Sequence, residues 1–481
     1  MRDLLPVPAG AADLEVGGIA HDSRAVRRGD LFVAVVGERF DGRRFAARAR
    51  EAGAVAALGP GPAPPGYDGV WLPAPDPRAL LGPLSARLFG HPDRELVMAG
   101  VTGTNGKSTV VALMQAILEA SGLRAGRIGT LGQSFGPLSL EAARTTPEAP
   151  ELFRTLREMR DAGAQAVAME VSSHGLAQGR VDGARFDVAV FTNLTRDHLD
   201  YHADLESYFA AKRRLFERLK PRGVAVVNAD DPFGARLAAE LPECVTWGES
   251  GRVRVARAHL DERGIQAVFA TPRGELEVAS SLLGGYNLSN LAAAVAAAEA
   301  LELAPEAIAR GLAAVEPLPG RLERVGPARP FPAFVDFAHT PAALEAAIRS
   351  LRELSGRRIV VVFGCGGERD PGKRAPMGRV AGELADVAIL TTDNPRGEDP
   401  DRILAAVEEG LVQSGGRWEV EPDRRTAIRR AMALAGPDAA VLVAGKGHET
   451  TQIVGDQVLP FSDREEILAA REEGRGSGTA S

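Results

Sequence analysis

Lysine is the scarcest charged residue in this 481-residue chain, with five positions (Lys107, Lys212, Lys220, Lys373 and Lys446) among 57 lysines and arginines together. Arginine therefore supplies 57 − 5 = 52 of the cations. A lysine kept against that bias suits a place that needs a compact point charge or an amine able to lose its proton, jobs a guanidinium does poorly. Lys220, beside Pro221 at an expected helix end, reads as ordinary surface. Cysteine is scarcer still: Cys244 and Cys365, far apart in sequence, give no disulfide framework and fit a reducing compartment. No stretch approaches about 18 consecutive apolar residues. The first residues, MRDLLPVPAGAADLEV, contain no signal-peptide core, so the expectation is a cytoplasmic protein with no membrane insertion. A net charge of −7 without a basic stretch argues against nucleic acid as the main ligand, although local arginines can still hold phosphates.

What is present is an ordinary globular composition, 45% hydrophobic and 25% charged, in a chain long enough for several domains. Its most informative stretch is Val101-Thr-Gly-Thr-Asn-Gly-Lys-Ser-Thr109. Backbone N–H groups around Gly103, Thr104, Asn105 and Gly106 can wrap an anion, and a helix N-terminus adds partial positive charge. Lys107 can reach terminal phosphates, while Ser108 or Thr109 can ligate Mg²⁺. The full P-loop pattern has a glycine where Val101 stands, so the loop is a shortened Gly-x-x-Gly-Lys-Ser form. Its flanks supply the required order: an apolar strand over 96–101, then Val110, Val111, Leu113, Met114, Ile117 and Leu118 at helical spacing until Gly122.

Along the chain, 31–36 and 54–58 read as strands around a helix over 43–53. A proline-rich run over 60–77 leads to a helix near 80–89, and His91-Pro92-Asp93 reads as a linker. From there an apolar strand followed by a polar motif recurs: AVAMEV before Ser172-Ser-His-Gly, VAVFTN before Leu194–Asp200, and VAVVN before Ala229-Asp-Asp. Residues 252–280 alternate as short antiparallel strands. After Gly320-Arg321 the pattern resumes with IVVVF before Gly364-Cys-Gly-Gly, AILTT before Asp393-Asn-Pro-Arg396, and VLVA before Gly445-Lys-Gly-His-Glu449. Parallel sheets bind ligands beyond the carboxyl ends of their strands, so these motifs should line crevices. The fold class is α/β with three domains: 1–90 a small N-terminal α/β domain, 91–322 a central, mainly parallel P-loop-type ATPase domain, and 323–470 a C-terminal Rossmann-like domain. A small, polar, disordered tail is expected over 471–481.

Several residues have two readings on local sequence alone. Glu170, at a strand end, suits a Mg²⁺ near the phosphate loop or a salt-bridged acid. Arg180 suits an anionic substrate group or a solvated surface. His198, in NLTRDHLDY, is a candidate ligand, and His202 is expected to be exposed. Lys212, near the apolar face of the helix around YFAAKRRLFE, reads as a snorkelling residue.

Together the motifs TGTNGKST, TTP at Thr145, EVSSHGL at Glu170, TNLTRDHLDYH at Thr192, AKRRLF at Lys212, NADD at Asn228, GYNLSN at Gly285, GRLE at Gly320 and DFAHTP at Asp336 resemble the Mur ligase family. These are ATP-dependent ligases of peptidoglycan stem-peptide synthesis, and the likeness spans nearly the whole chain. Within it, GCGGERDPGKRAPMG, DNPR and GKGHE resemble the member that adds the third residue to UDP-N-acetylmuramoyl-L-alanyl-D-glutamate. The resemblance implies that Lys107 holds ATP phosphates and that Ser108, Glu170, His198 and Lys212 bind Mg²⁺, with Lys212 carbamylated as N6-carboxylysine. Lys107, Lys212 and His198 are then the catalytic set. Carbamylation needs a neutral amine and turns a cation into an oxygen ligand for a hard metal.

The resemblance also places Asn287, Arg321 and Asp336 at the nucleotide. Thr145, Thr146, Ser172, Gln178 and Arg180 fall at the muramoyl dipeptide, and Ser23 at the uridine. At Glu38-Arg-Phe40 the chain departs from relatives that carry histidine and glutamine near the uracil. Arg369, Asp393, Asn394, Pro395, Arg396, Gly445 and Glu449 are implied for meso-diaminopimelate, with Glu449 taking the distal ammonium. A guanidinium such as Arg396 matches the second carboxylate of that amino acid. The implied partners are ATP, the UDP-linked dipeptide and diaminopimelate, acted on by a monomer. A lysine-adding sister, a folylpolyglutamate-type synthetase and a P-loop switch without ligation remain alternatives.

Overall fold

The computed structural model describes residues 14–37 and 40–477. Four parallel strands, Gly18–Ala20, Asp30–Val33, Ala56–Gly59 and Trp71–Pro73, lie side by side in chain order. Phe32, Ala34 and Ala57 pack there against Ala46 and Ala49 of the short helix Ala46–Glu51. His91–Asp93 is not a linker: Pro92–Glu95 is a helical turn, and the Asp93 carboxylate, fully buried, accepts from Arg185 N–H at 3.1 Å.

The chain divides into two compact units. The first comprises the described residues up to Thr102 together with 118–190 and 211–225. Its main sheet places Val97–Thr102 between Phe186–Phe191 and Ala166–Glu170, with Ala125–Gly129 beyond and two antiparallel strands at the edge. Lys220 is not ordinary surface, since its ammonium donates to Leu96 O and Asp187 Oδ2, each at 2.8 Å.

The second unit comprises 103–117, 191–210 and everything from Val226. Residues 254–280 form the expected antiparallel sheet of three strands. Further on, a six-stranded sheet is parallel apart from its first strand, Glu323–Arg324. Alternation along its strands explains why helices cover both faces. Val361, Phe363 and Leu442 point to one apolar layer with Leu344, Ile348, Met377 and Val407; Val360, Val362 and Val441 point to the other with Ala427, Ile428 and Ile467. Each such fully buried valine, leucine, isoleucine, phenylalanine or methionine side chain contributes about 1.5–3 kcal/mol. The last helix runs Asp463–Ser477, so the disordered tail expected from 471 is helical as far as 477. Three acids in its first turn complement the helix dipole.

No lysine is exposed: Lys212, Lys373 and Lys446 are buried, and Lys107 and Lys220 are partly so. Among the described residues, no helix is long and apolar enough to cross a membrane.

Candidate active site

Strand Val97–Thr102 leads into the phosphate-type loop, and helix Lys107–Ala120 opens directly behind it. Gly103 (φ +148°) and Gly106 (φ +87°) adopt backbone conformations that side chains rarely allow. A Cβ would strike Thr192 Oγ1 at Gly103 and Asn290 Oδ1 at Gly106. The loop is laced to the segment after strand Phe186–Phe191. Asn105 N–H donates to Asn193 Oδ1 (2.9 Å), Thr192 Oγ1 donates to Asn105 O (2.6 Å), and Thr104 Oγ1 accepts from Thr195 N–H (3.1 Å). Lys107 folds onto its own turn, its Nζ donating to Gly103 O (3.0 Å) and Thr104 O (2.8 Å). Ser108 Oγ accepts from Arg321 Nη2 at 3.1 Å, and Thr109 is buried.

Arg321 also lies over the Phe337 ring, 4.7 Å from its centroid. Asp336, at the end of strand Ala333–Asp336, accepts through Oδ2 from Leu322 N–H (2.7 Å) and Tyr286 OH (3.0 Å). Burial pushes its carboxyl up, against the pull of Arg321 and these donors. Asn287 is buried in helix Gly285–Ala300, where its amide joins Leu283 O to Asn290.

Asp197 draws three cationic or imidazole side chains to one buried carboxylate. His198 Nε2 and His339 Nε2 each stand 3.4 Å from Oδ2, and Lys373 Nζ stands 3.7 Å from Oδ1. Burial alone would raise its pKa, but His339, His198 and Lys373 outweigh it and hold the carboxyl well below the usual range. Beside it, Arg196 grips Asp370 with two hydrogen bonds, Nε to Oδ2 (3.0 Å) and Nη2 to Oδ1 (3.1 Å). His198 has a left-handed backbone (φ +56°). His202, expected to be exposed, is buried with its ring 5.0 Å from that of Tyr208.

In the first unit, Glu170 is buried at its strand end and accepts from Thr130 N–H (2.8 Å) and Thr130 Oγ1 (3.2 Å). Thr145 and Thr146 lie in the loop before helix Ala149–Asp161. The Thr145 hydroxyl lies 3.2 Å from Thr130 Oγ1, and Thr146 Oγ1 donates to Glu170 O (3.0 Å). Ser172 caps helix Ser173–Ala177, its Oγ accepting from Gly175 N–H (3.1 Å), so that hydroxyl has a structural duty. Arg180 is not the solvated surface residue of one sequence reading. It is largely buried and spans Gln178 Oε1 (2.6 Å), Thr146 O (3.0 Å) and Glu148 Oε1 (2.9 Å). Glu148 is buried and also pairs with Arg78 at 2.9 Å, a partnership the sequence pattern does not reveal. Ser23 is buried in the turn after Gly18–Ala20, and Lys212 is 1% exposed, not snorkelling. Glu38 and Arg39 lie outside the described residues.

The strand ends of the six-stranded sheet bring Asp393–Arg396 together with Gly445–Glu449. Gly445 (φ +117°) lets the backbone approach Asp393, whose Oδ2 a Cβ there would strike. Asn394 Nδ2 donates to Glu449 Oε2 at 2.9 Å. Arg396 (φ +53°) is half-buried and turned inward, with Nη1 donating to Gly367 O at 2.8 Å. Burial, helped by Arg369, lowers its pKa. Arg369 itself is exposed.

Three family models match the chain in succession: "Mur ligase family, catalytic domain" over 15–86, "Mur ligase middle domain" over 101–298, and "Mur ligase, glutamate ligase domain" over 320–447. A UDP-N-acetylmuramoyl-L-alanyl-D-glutamate–2,6-diaminopimelate ligase of Geobacter metallireducens is 43% identical, covering 96% of this chain and 96% of its own. The chain belongs to the Mur ligase family. The enzyme of the same name from Xanthomonas campestris is 47% identical, covering 96% of this chain and 95% of its own. A solved structure carrying that name superposes with a TM-score of 0.69 at 33% identity, covering 98% of this chain and 99% of its own. The expected α/β architecture with N-terminal, middle and C-terminal domains thus holds for this Mur ligase. Of the residues expected at its metals, Ser108 and His198 belong to the second unit and Glu170 and Lys212 to the first. Among the described residues, no three His, Cys, Asp or Glu side chains form a group able to hold a metal ion by themselves.

Proposed function

We propose that the protein is an ATP-dependent amide ligase that adds meso-diaminopimelate to UDP-N-acetylmuramoyl-L-alanyl-D-glutamate in the cytoplasm, acting as a monomer with domain boundaries near 90 and 322. The observation that carries this reading is the inward-turned guanidinium of Arg396 beside the Asn394–Glu449 pair. It gives one cation for a side-chain carboxylate and one carboxylate for an ammonium in the same pocket.

A carboxylate is a poor acyl donor, so ATP must activate it. The D-glutamate γ-carboxylate attacks the γ-phosphorus, giving an acyl phosphate and ADP. The amino group of diaminopimelate then attacks the acyl carbon, and the tetrahedral adduct expels phosphate and loses a proton to leave the amide. The chain's own groups mainly position and neutralise anions. Lys107 leaves its loop carbonyls for the terminal phosphates, and Arg321 and Asp336 hold the nucleotide. Glu148, already neutralised by Arg78 and Arg180, leaves Thr145, Thr146 and Ser172 as neutral donors toward the dipeptide.

Glu170 fits a hard cation: it is a buried carboxylate that forms no ion pair among the described residues and is held by Thr130 alone. With Ser108, His198 and carbamylated Lys212 it would hold Mg²⁺, which would supply charge neutralisation at the phosphates. Lys212 is buried, and burial favours the neutral amine that carbamylation needs.

ADP release should require both the UDP-linked dipeptide and an amino acid, with diaminopimelate preferred over lysine. A preference for lysine would reject the pocket assignment. ADP release indifferent to any amino acid would favour a nucleotide switch.

A further inference from the structure

Lys446 sits inside the Gly445–Glu449 turn with no exposed surface. Its Nζ donates to Asn394 Oδ1 and to Glu449 Oε2, each at 3.1 Å. Asn394 closes the triangle by donating from Nδ2 to the same Oε2 at 2.9 Å, while its Oδ1 also accepts from Ile453 N–H at 3.0 Å. Two donors meet the amide oxygen and one acceptor meets the amide nitrogen, so the amide has one allowed orientation: a flip would set its NH₂ against the ammonium and the Ile453 N–H. Glu449 Oε2 is engaged twice, and Glu449 Oε1 takes no hydrogen bond among the described residues.

The choice of lysine fits this geometry. Where nearly all cations are guanidinium, this enclosed position carries a compact ammonium that directs its donors from one point at two acceptors on different strand ends. A planar fork has neither the room nor the angles for that. Arg424 and Arg396 add positive field toward Glu449 from neighbouring elements, yet among the described residues neither donates a hydrogen bond to it.

We propose that Lys446 is a positioning residue of the amino-acid pocket. It locks the Asn394 amide and one oxygen of Glu449 so that the other oxygen is presented to the ammonium group of the incoming amino acid. Lys446 does not itself touch substrate. The inference rests on the reading of this pocket as the diaminopimelate site.

The test is steady-state ADP release by K446M and K446R, varying each of the three substrates in turn. The expected result is a rise of roughly tenfold or more in KM for diaminopimelate, the order expected from loss of a hydrogen bond to a charged group, with KM for ATP and for the dipeptide changed less than about twofold. In an E449Q background the K446M effect should vanish, because Lys446 acts through Glu449. K446R, which keeps the charge and misplaces the donors, serves if K446M does not accumulate as folded protein. Proportional changes in all three KM values, or a K446M effect undiminished in E449Q, would overturn the positioning role. A diaminopimelate-dependent wild type with an unaltered K446R would overturn that role alone. A wild type that ignores diaminopimelate would overturn the functional reading and this inference with it.

Discussion

Arg321 reaches from the segment before strand Glu323–Arg324 to the first turn of helix Lys107–Ala120, where its Nη2 donates to Ser108 Oγ at 3.1 Å. With its other face over Phe337, the guanidinium is already oriented beside the loop proposed to receive the phosphates. Arg321→Ala should lower kcat/KM for ATP by about 10²–10³, the cost of removing one preorganised charge-stabilising donor. Arg321→Lys, which cannot span ring and hydroxyl together, should recover little of it. Initial rates of ADP release against ATP concentration measure both.

On the proposed reading, Arg396 binds the second carboxylate of the amino acid. Replacing it with leucine should raise KM for diaminopimelate about 10- to 100-fold, the equivalent of about 1.5–3 kcal/mol for hydrogen bonds to a charged group. KM for ATP should stay put. Competition between diaminopimelate and lysine should also narrow, and an undiminished preference would move specificity elsewhere.

Arg424 and Asp463 form an ion pair with no exposed surface on either side chain, joined by two hydrogen bonds of 2.7 Å. The same guanidinium donates to Ala444 O at 3.0 Å, at the end of strand Ala439–Ala444. Arg424→Met leaves a buried carboxylate alone and should cost about 3–5 kcal/mol, whereas removing both charges with well-packed apolar residues should cost much less. Chemical denaturation midpoints of the single and double variants decide this.

His448 gives a pH signature. Burial, followed by the Arg321 charge, lowers its pKa to about 4, against an unfolded value of about 6.5. The unfolded chain therefore takes up the proton first on acidification. The contribution of His448 to stability is complete above about pH 6.5 and is lost as pH falls toward about 4. Tm measured across that window should fall less steeply in His448→Gln, and parallel curves would remove His448 from the account.

What was legible in the sequence is what repeats locally. Unbroken apolar runs such as Val360–Phe363 and Val441–Ala444 mark strands buried on both faces, and the polar motif that follows each marks a crevice, because both signals lie within a few residues. Asp197 shows where that fails. Its partners His339 and Lys373 come from segments about 140 and 180 residues away in the chain, and nothing in their local sequence says that they share one carboxylate. Arg180 was ambiguous for the same reason: only Glu148, reached through the fold, makes it a buried ion-pair member. His202 looked polar enough for solvent, but its ring is sheltered by Tyr208. The lysine census had a signal for Lys446 all along. Composition could say that this amine was special, and only the contact with Asn394 and Glu449 could say for what.

The burial of the five lysines also shapes how this protein meets chemistry at its surface. Acylating reagents and acetyl donors attack amines and leave guanidinium groups alone, so the positive charges they could erase are mostly sheltered within the fold. The outward charge, carried by arginine, stays protonated at any pH the fold survives. Fast, extensive acylation of lysine would therefore report loss of structure, making amine reactivity a direct gauge of opening around the phosphate loop and the amino-acid pocket.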